Sequence, residues 1–291
     1  MRHGIKAAAM TITAAISIAA IPSPAFVQSG DLPQFWDPGY VTAKPPLDGL
    51  LRLRFITTLD YPPFNFADEN RKPTGFNVDL ARAICENLRI ETRCEIQAVP
   101  WDELQPALDA NRAEAIIAGY DVTPEFRAKY QLSQPYFRFP ARFIGRTNTA
   151  DGVAPEIALT DLMRPNTRIG VLQESAHAAY LEAFFPRANV IQFPNAAPLY
   201  VALKDQEVDY LFGDGVSFSF WLASRASDGC CRLVAEPILD TQFFGHGMVV
   251  AVRFNEDALH ASINAALKEL EATGVVEELF VRYFPISPFG P

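Results

Sequence analysis

The chain has 291 residues, of which 49% are hydrophobic and 20% charged, and it carries a formal net charge of −9. That is material for one large or two modest globular domains. With an acidic balance and no dense cluster of lysine and arginine, it makes a poor partner for nucleic acid or an anionic membrane surface.

Arg2 and Lys6 precede an uncharged small-apolar run over residues 7–21, and Ser23-Pro24-Ala25 follows. Small residues then stand at both key positions of a cleavage site, which predicts a secretory signal peptide over residues 1–25. A bilayer anchor would need about 20 apolar residues, so the run is short for one. Residues 26–49 carry Pro33, Pro38, Pro45 and Pro46 among Phe35, Trp36 and Tyr40, an extended lead-in with its aromatics tacked onto the body.

A first strand is expected over residues 51–57, followed by a loop, because Pro62-Pro63 forbids both helix and ladder. Asn77 is read as the cap of a helix whose buried stripe is Val78, Ala81, Ile84 and Leu88. Cys85 falls late on that helix and Cys94 enters the next strand, so a disulfide between them is expected. Four cysteines permit three pairings, and the state of the adjacent Cys230 and Cys231 is left open. No Cys/His spacing suits zinc, and neither a metal nor a cofactor is expected.

The most informative stretch runs from residue 104 to 127. Leu104, Ala107 and Leu108 have helical spacing, and residues 115–118 form a wholly apolar run, as in a strand covered on both faces. Gly119 stands where the backbone leaves that strand, the end at which α/β sheets hold ligands. Thr123 and Pro124 then start a helix. The pattern returns at Leu199, Ala202 and Leu203, with an apolar run at 208–212 and then Gly213 and Asp214. In both copies a leucine is followed by an acidic residue, apolar residues, a glycine and an aspartate (Asp121, Asp214).

Two strand ends of one design predict two α/β lobes facing across a cleft. A strand near 139–145 would leave the first lobe and one near 245–252 would return to it, with hinges near 139–143 and 239–244. The first lobe is thus residues 50–141 plus 242–291, and the second 142–241. Within the second, Ser175 opens one helix and Asn195 caps another.

Four segments in order carry a resemblance: Thr57-Thr58-Leu59-Asp60-Tyr61-Pro62-Pro63-Phe64, Gly75-Phe76-Asn77-Val78-Asp79-Leu80, Ala118-Gly119-Tyr120-Asp121-Val122-Thr123-Pro124-Glu125 and Leu132-Ser133-Gln134-Pro135-Tyr136. Over residues 50 to 286 the chain resembles the family 3 periplasmic solute-binding proteins, the polar-amino-acid receptors of ABC importers. The resemblance implies an α/β, two-lobed periplasmic-binding-protein-like (type II) fold with a hinge and an interlobe cleft. It implies a periplasmic monomer that captures an amino acid or related small amine and hands it to importer membrane subunits, without catalysis. By position, Tyr61 and Trp101 would sandwich the ligand, Asp214 would hold its ammonium, and Ser175 would belong to the cluster holding its carboxylate.

Two departures stand out. Phe126 occupies the usual place of an arginine that clamps the carboxylate, and Arg127 follows about 100° around the helix. Asp121 stands where a neutral hydroxyl residue is usual. The alternative is a dehydratase on the same fold, of the cyclohexadienyl type, for which Glu174 beside His177 is the nearest candidate acid. A sensory ligand-binding domain is a third class, for which a membrane segment and signalling module would be needed.

Overall fold

The computed structural model describes residues 44–47, 49–147, 157–162 and 164–290. The expected signal peptide and the lead-in aromatics Phe35, Trp36 and Tyr40 lie outside the described residues. Where the description begins, Lys44 is already anchored: its Nζ donates to the carbonyl of Asn87 at 3.0 Å and pairs with Glu269 at 3.2 Å.

The first lobe opens with β1 (Leu53–Thr57), then a small antiparallel sheet of β2 (Asp60–Tyr61), β3 (Asn65–Ala67) and β4 (Pro73–Thr74). Next come α1 (Phe76–Asn87), β5 (Cys94–Ala98), α2 (Leu104–Asp109), β6 (Ala115–Ile116), α3 (Pro124–Lys129) and β7 (Gln131–Leu132). The second lobe holds β8 (Ala141–Arg146), α4 (Leu159–Leu162), β9 (Arg168–Leu172), α5 (Ala176–Phe184), β10 (Asn189–Phe193), α6 (Ala196–Lys204), β11 (Tyr210–Asp214), α7 (Gly215–Ala223) and β12 (Cys231–Ile238). The chain returns through α8 (Thr241–Phe244) to β13 (Ala251–Val252) and ends with α9 (Asp257–Ala272) and α10 (Val275–Tyr283).

The two main sheets have the orders β5-β1-β6-β13-β7 and β10-β9-β11-β8-β12. In each, four strands run in one direction and a single strand, β13 in the first sheet and β8 in the second, runs against them. Each sheet is therefore mostly parallel in direction with one reversed strand, because the strand that arrives from the other lobe enters from the opposite end. β6 and β11 hold the same place in the two orders, which is the topological basis of the repeated sequence pattern. Its acidic residue has a structural job in both copies. Arg54 at the start of β1 donates its main-chain N–H (2.7 Å) and its guanidinium (2.6 and 3.0 Å) to Glu114, ahead of β6. Arg168 at the start of β9 does the same to Asp209, at 2.9 Å from its main-chain N–H and 2.8 Å from Nη2.

Each sheet is buried between apolar layers. Leu53, Phe55, Ile84, Ile263 and Phe280 fill one side of the first sheet, and Ile56, Leu104, Leu108 and Val249 the other. Phe143, Leu181 and Phe212 lie on one side of the second sheet, and Ile144, Leu199 and Leu211 on the other.

Three local expectations change. The N-cap of α1 is Gly75; Asn77 is inside the helix and fully buried, donating from Nδ2 to Asn65 at 2.8 Å. That bond serves tertiary packing, which a capping rule does not see. Trp101, expected to enter the helix carrying Leu104, Ala107 and Leu108, lies instead on a 3₁₀ turn ahead of α2. The returning strand is short, Ala251–Val252, although Met248 makes isolated bridges to Asp121 and Phe137 just before it. Cys85 and Cys94, with Cα atoms 6.2 Å apart, are joined, and so are Cys230 and Cys231.

Candidate functional site

In the first lobe the site begins at the end of β1. Thr58, buried, accepts from Asn65 Nδ2 at 2.7 Å, and Asn65 in turn accepts from Asn77 at 2.8 Å. This buried chain ties the loop after β1 to α1. Phe64, 1% exposed, drives its ring into Phe76, Phe137, Phe139 and Phe284, with centroids 5.0–6.3 Å away. Tyr61 is held above that cluster, 5.1 Å from Phe64, yet remains 38% exposed. Beneath it lies Gly119 at φ +92°, where a Cβ would come within 2.8 Å of the Tyr61 ring. A side chain at 119 would displace Tyr61 and strain the backbone, so the glycine sets the depth of this wall.

Trp101 is fixed differently. Its ring stacks on Tyr120 at 4.4 Å and 24°, and Tyr120 stacks on Phe126 at 4.4 Å and 16°. Trp101 is nevertheless 48% exposed, while Phe126 is 6% exposed. The result is a three-ring pile with its outermost face open, a flat surface suited to an apolar or cationic ligand. Tyr120 went unnoticed in the sequence, although it stands between Gly119 and Asp121 in the most informative motif.

In the second lobe Asp214 ends β11 and caps α7. Its Oδ1 accepts both the N–H and the hydroxyl of Ser217, each at 2.7 Å, so Oδ2 lies outside the cap. Its charge is felt across the cleft: after burial, Asp214 is the second cause of the raised Tyr61 phenol. The same two causes push Tyr200 up to about 12. His177 is depressed by burial and partly restored by Asp214. Tyr200 lies flat on Trp221, with centroids 4.3 Å and planes 4° apart. His177 stacks on Phe244 at 5.0 Å and meets Phe212 edge-on at 5.5 Å, so it is a packed side chain.

Other expected site residues are engaged elsewhere. Ser175 caps α5, accepting from the N–H of Ala178 at 3.1 Å while its hydroxyl donates to the carbonyl of Leu172 at 2.6 Å. Asp121 Oδ1 accepts the main-chain N–H groups of Val122 (2.7 Å), His246 (3.0 Å) and Gly247 (2.8 Å), fastening the returning connection to the end of β6. Arg127 is exposed on α3, and Glu174 is exposed at φ 54°. The structure thus brings Tyr61 and Gly119 into contact, joins Trp101 to them through Tyr120, and sets Asp214 within electrostatic reach of Tyr61. Among the described residues no group of three or more His, Cys, Asp or Glu could hold a metal ion.

Two lobes joined by paired crossings, with open aromatic faces and a carboxylate at the strand ends between them, define a periplasmic-binding-protein-like fold. The profile of the bacterial extracellular solute-binding proteins, family 3, matches residues 53–286, and the chain belongs to that family. It is 29% identical over 234 residues to ABC transporter arginine-binding protein 1 of Escherichia coli (strain K12), covering 80% of this chain and 91% of the relative. It is 24% identical over 241 residues to the histidine-binding periplasmic protein of Salmonella typhimurium (strain LT2), covering 82% and 90%. Among solved structures, that of an ancestral cyclohexadienyl dehydratase is similar with a TM-score of 0.68 at 21% identity, covering 85% of this chain and 98% of the other. That likeness shows the fold alone; the named sequence relatives are binding proteins.

Proposed function

We propose that this protein is a periplasmic solute-binding protein. It captures an amino acid or related small amine between its lobes, by a cationic nitrogen, and delivers it to the membrane subunits of an ABC importer. The observation that carries this reading is Asp214 Oδ2, outside its helix cap and within electrostatic reach of Tyr61, His177 and Tyr200. The open faces of Tyr61 and Trp101 add cation-binding surface on the opposite lobe. Residues 50–141 with 242–291 form one moving body and 142–241 the other, and Gly119 lets the backbone approach the ligand. Arg127, exposed on α3, and Asp121, held by the returning connection, make no direct ligand contact in this reading, and Ser175 orients the first N–H groups of α5 toward the ligand's polar end. Export follows cleavage after Ala25, with Cys85–Cys94 and Cys230–Cys231 as disulfides and the mature chain a monomer.

A thermal-shift screen of amino acids and small amines tests the reading. A true ligand at a hundredfold excess over its Kd should stabilise the protein by about 2.7 kcal/mol. Asp214→Asn should lose at least tenfold in affinity, since a hydrogen bond to a charged group contributes about 1.5–3 kcal/mol. Wild-type affinity in that variant would refute the cation site.

A further inference from the structure

A zwitterion brings two charges into a closing cleft, and each needs a partner once water is displaced. For the cation there is Asp214, whose Oδ2 lies outside its cap. For the anion the surroundings are poor. Phe126 is buried as the third ring of the Trp101–Tyr120 pile, and its neighbour Arg127 is turned out to solvent. Arg142, 0% exposed, lies beneath Gly215 with Nη1 donating to the carbonyl of Pro288 at 3.2 Å. His177 packs between Phe212 and Phe244, and its depressed imidazole is neutral at pH 7. The Ser175 hydroxyl is spent within its own turn. Among the described residues, what remains for an anion is the N-terminus of α5, a partial charge only.

Resting on the cation-site reading given above, we infer that the ligand is an amine or guanidine without a carboxylate, held by Asp214 against the aromatic faces of Tyr61 and Trp101. Removing the carboxylate from an amino acid raises its net charge by one. It also deletes the group that would be buried with no opposite charge, so affinity rises on both counts.

The experiment is calorimetric titration of the purified exported chain, stripped of bound ligand, with matched pairs: agmatine and arginine, cadaverine and lysine, putrescine and ornithine, histamine and histidine. In at least one pair the amine should bind at least tenfold more tightly than its parent amino acid. In Asp214→Asn that amine should lose at least tenfold. If every parent that binds does so as tightly as its amine or more tightly, the inference is overturned. In that case a loss of parent affinity in Asp214→Asn still upholds the cation site, and no loss removes the cation site as well. Failure of all these compounds to bind wild type overturns the inference too.

Discussion

Gly119 and Tyr120 are the residues on which the first-lobe wall depends most directly. Gly119 combines φ +92° with the Tyr61 ring lying where its Cβ would be. Gly119→Ala should therefore cost about 1–3 kcal/mol of stability from backbone strain, with weaker ligand binding as Tyr61 shifts. Urea unfolding monitored by circular dichroism measures the first effect, and an unchanged midpoint would show that the site relaxes freely. Tyr120→Ala removes two stacked pairs, each contributing about 0.5–1.5 kcal/mol beyond simple burial. Its more telling consequence is on Trp101, which loses its inner support. Tryptophan fluorescence anisotropy should fall in the variant, and a Trp101→Phe background should abolish that change.

Among the elements, the segment after α10 is the one whose role no local pattern announces. Phe284 packs in the first lobe against Phe280 at 4.3 Å, and it also faces Phe220 of α7 at 6.3 Å. Ser219 of α7 bonds both the carbonyl and the N–H of Ile286, and Arg142 of β8 bonds the carbonyl of Pro288. Phe289 then returns to the first lobe, 5.7 Å from Phe280. The tail is thus a strap crossing between lobes, in addition to the two chain connections around β8 and β13. Deleting residues 286–291 exposes the Phe289 and Ile286 sites and leaves Arg142 buried without that carbonyl. The loss expected from apolar area alone is about 2–4 kcal/mol. Guanidinium unfolding would check it, and a variant as stable as the full chain would mean the tail merely lies on the surface.

For the whole molecule, the two matching arginine–carboxylate clamps give a pH dependence with a definite sign. In Glu114, burial pushes the carboxyl up, but the hydrogen bonds and charge of Arg54 outweigh it and the net shift is down. Asp209 behaves the same way beside Arg168. Both folded values lie below the unfolded ones, near about 4.3 for Glu and 3.9 for Asp. The stability they contribute is complete above those values and is lost as pH falls through the depressed folded ones. Stability should therefore decline below about pH 4, and the Glu114→Gln, Asp209→Asn double variant should show a shallower acid limb. Equal slopes in wild type and variant, from urea midpoints between pH 3 and 6, would assign acid unfolding to other groups.

The repeat of leucine, acid, apolar run, glycine and aspartate was legible because both copies obey one physical requirement. A strand covered on both faces must be wholly apolar, and its preceding carboxylate must answer an arginine on the neighbouring strand. Helix starts such as Thr123, Ser175 and Asn195 were legible for a similar reason: capping is settled within a few residues of chain, by an oxygen reaching an adjacent N–H. Residue type alone could not say where such a side chain goes when its partner lies far along the chain. Asp121 could be read equally as a ligand contact or a local cap; it does take the N–H of Val122, but it also fastens those of His246 and Gly247, 125 and 126 positions away. Asn77 looked like a cap and became part of a buried hydrogen-bond chain, while Tyr120 became the support of Trp101. Local sequence determined the elements and the strand ends; only the packing of distant segments decided which polar groups were consumed inside the fold and which were left for a ligand.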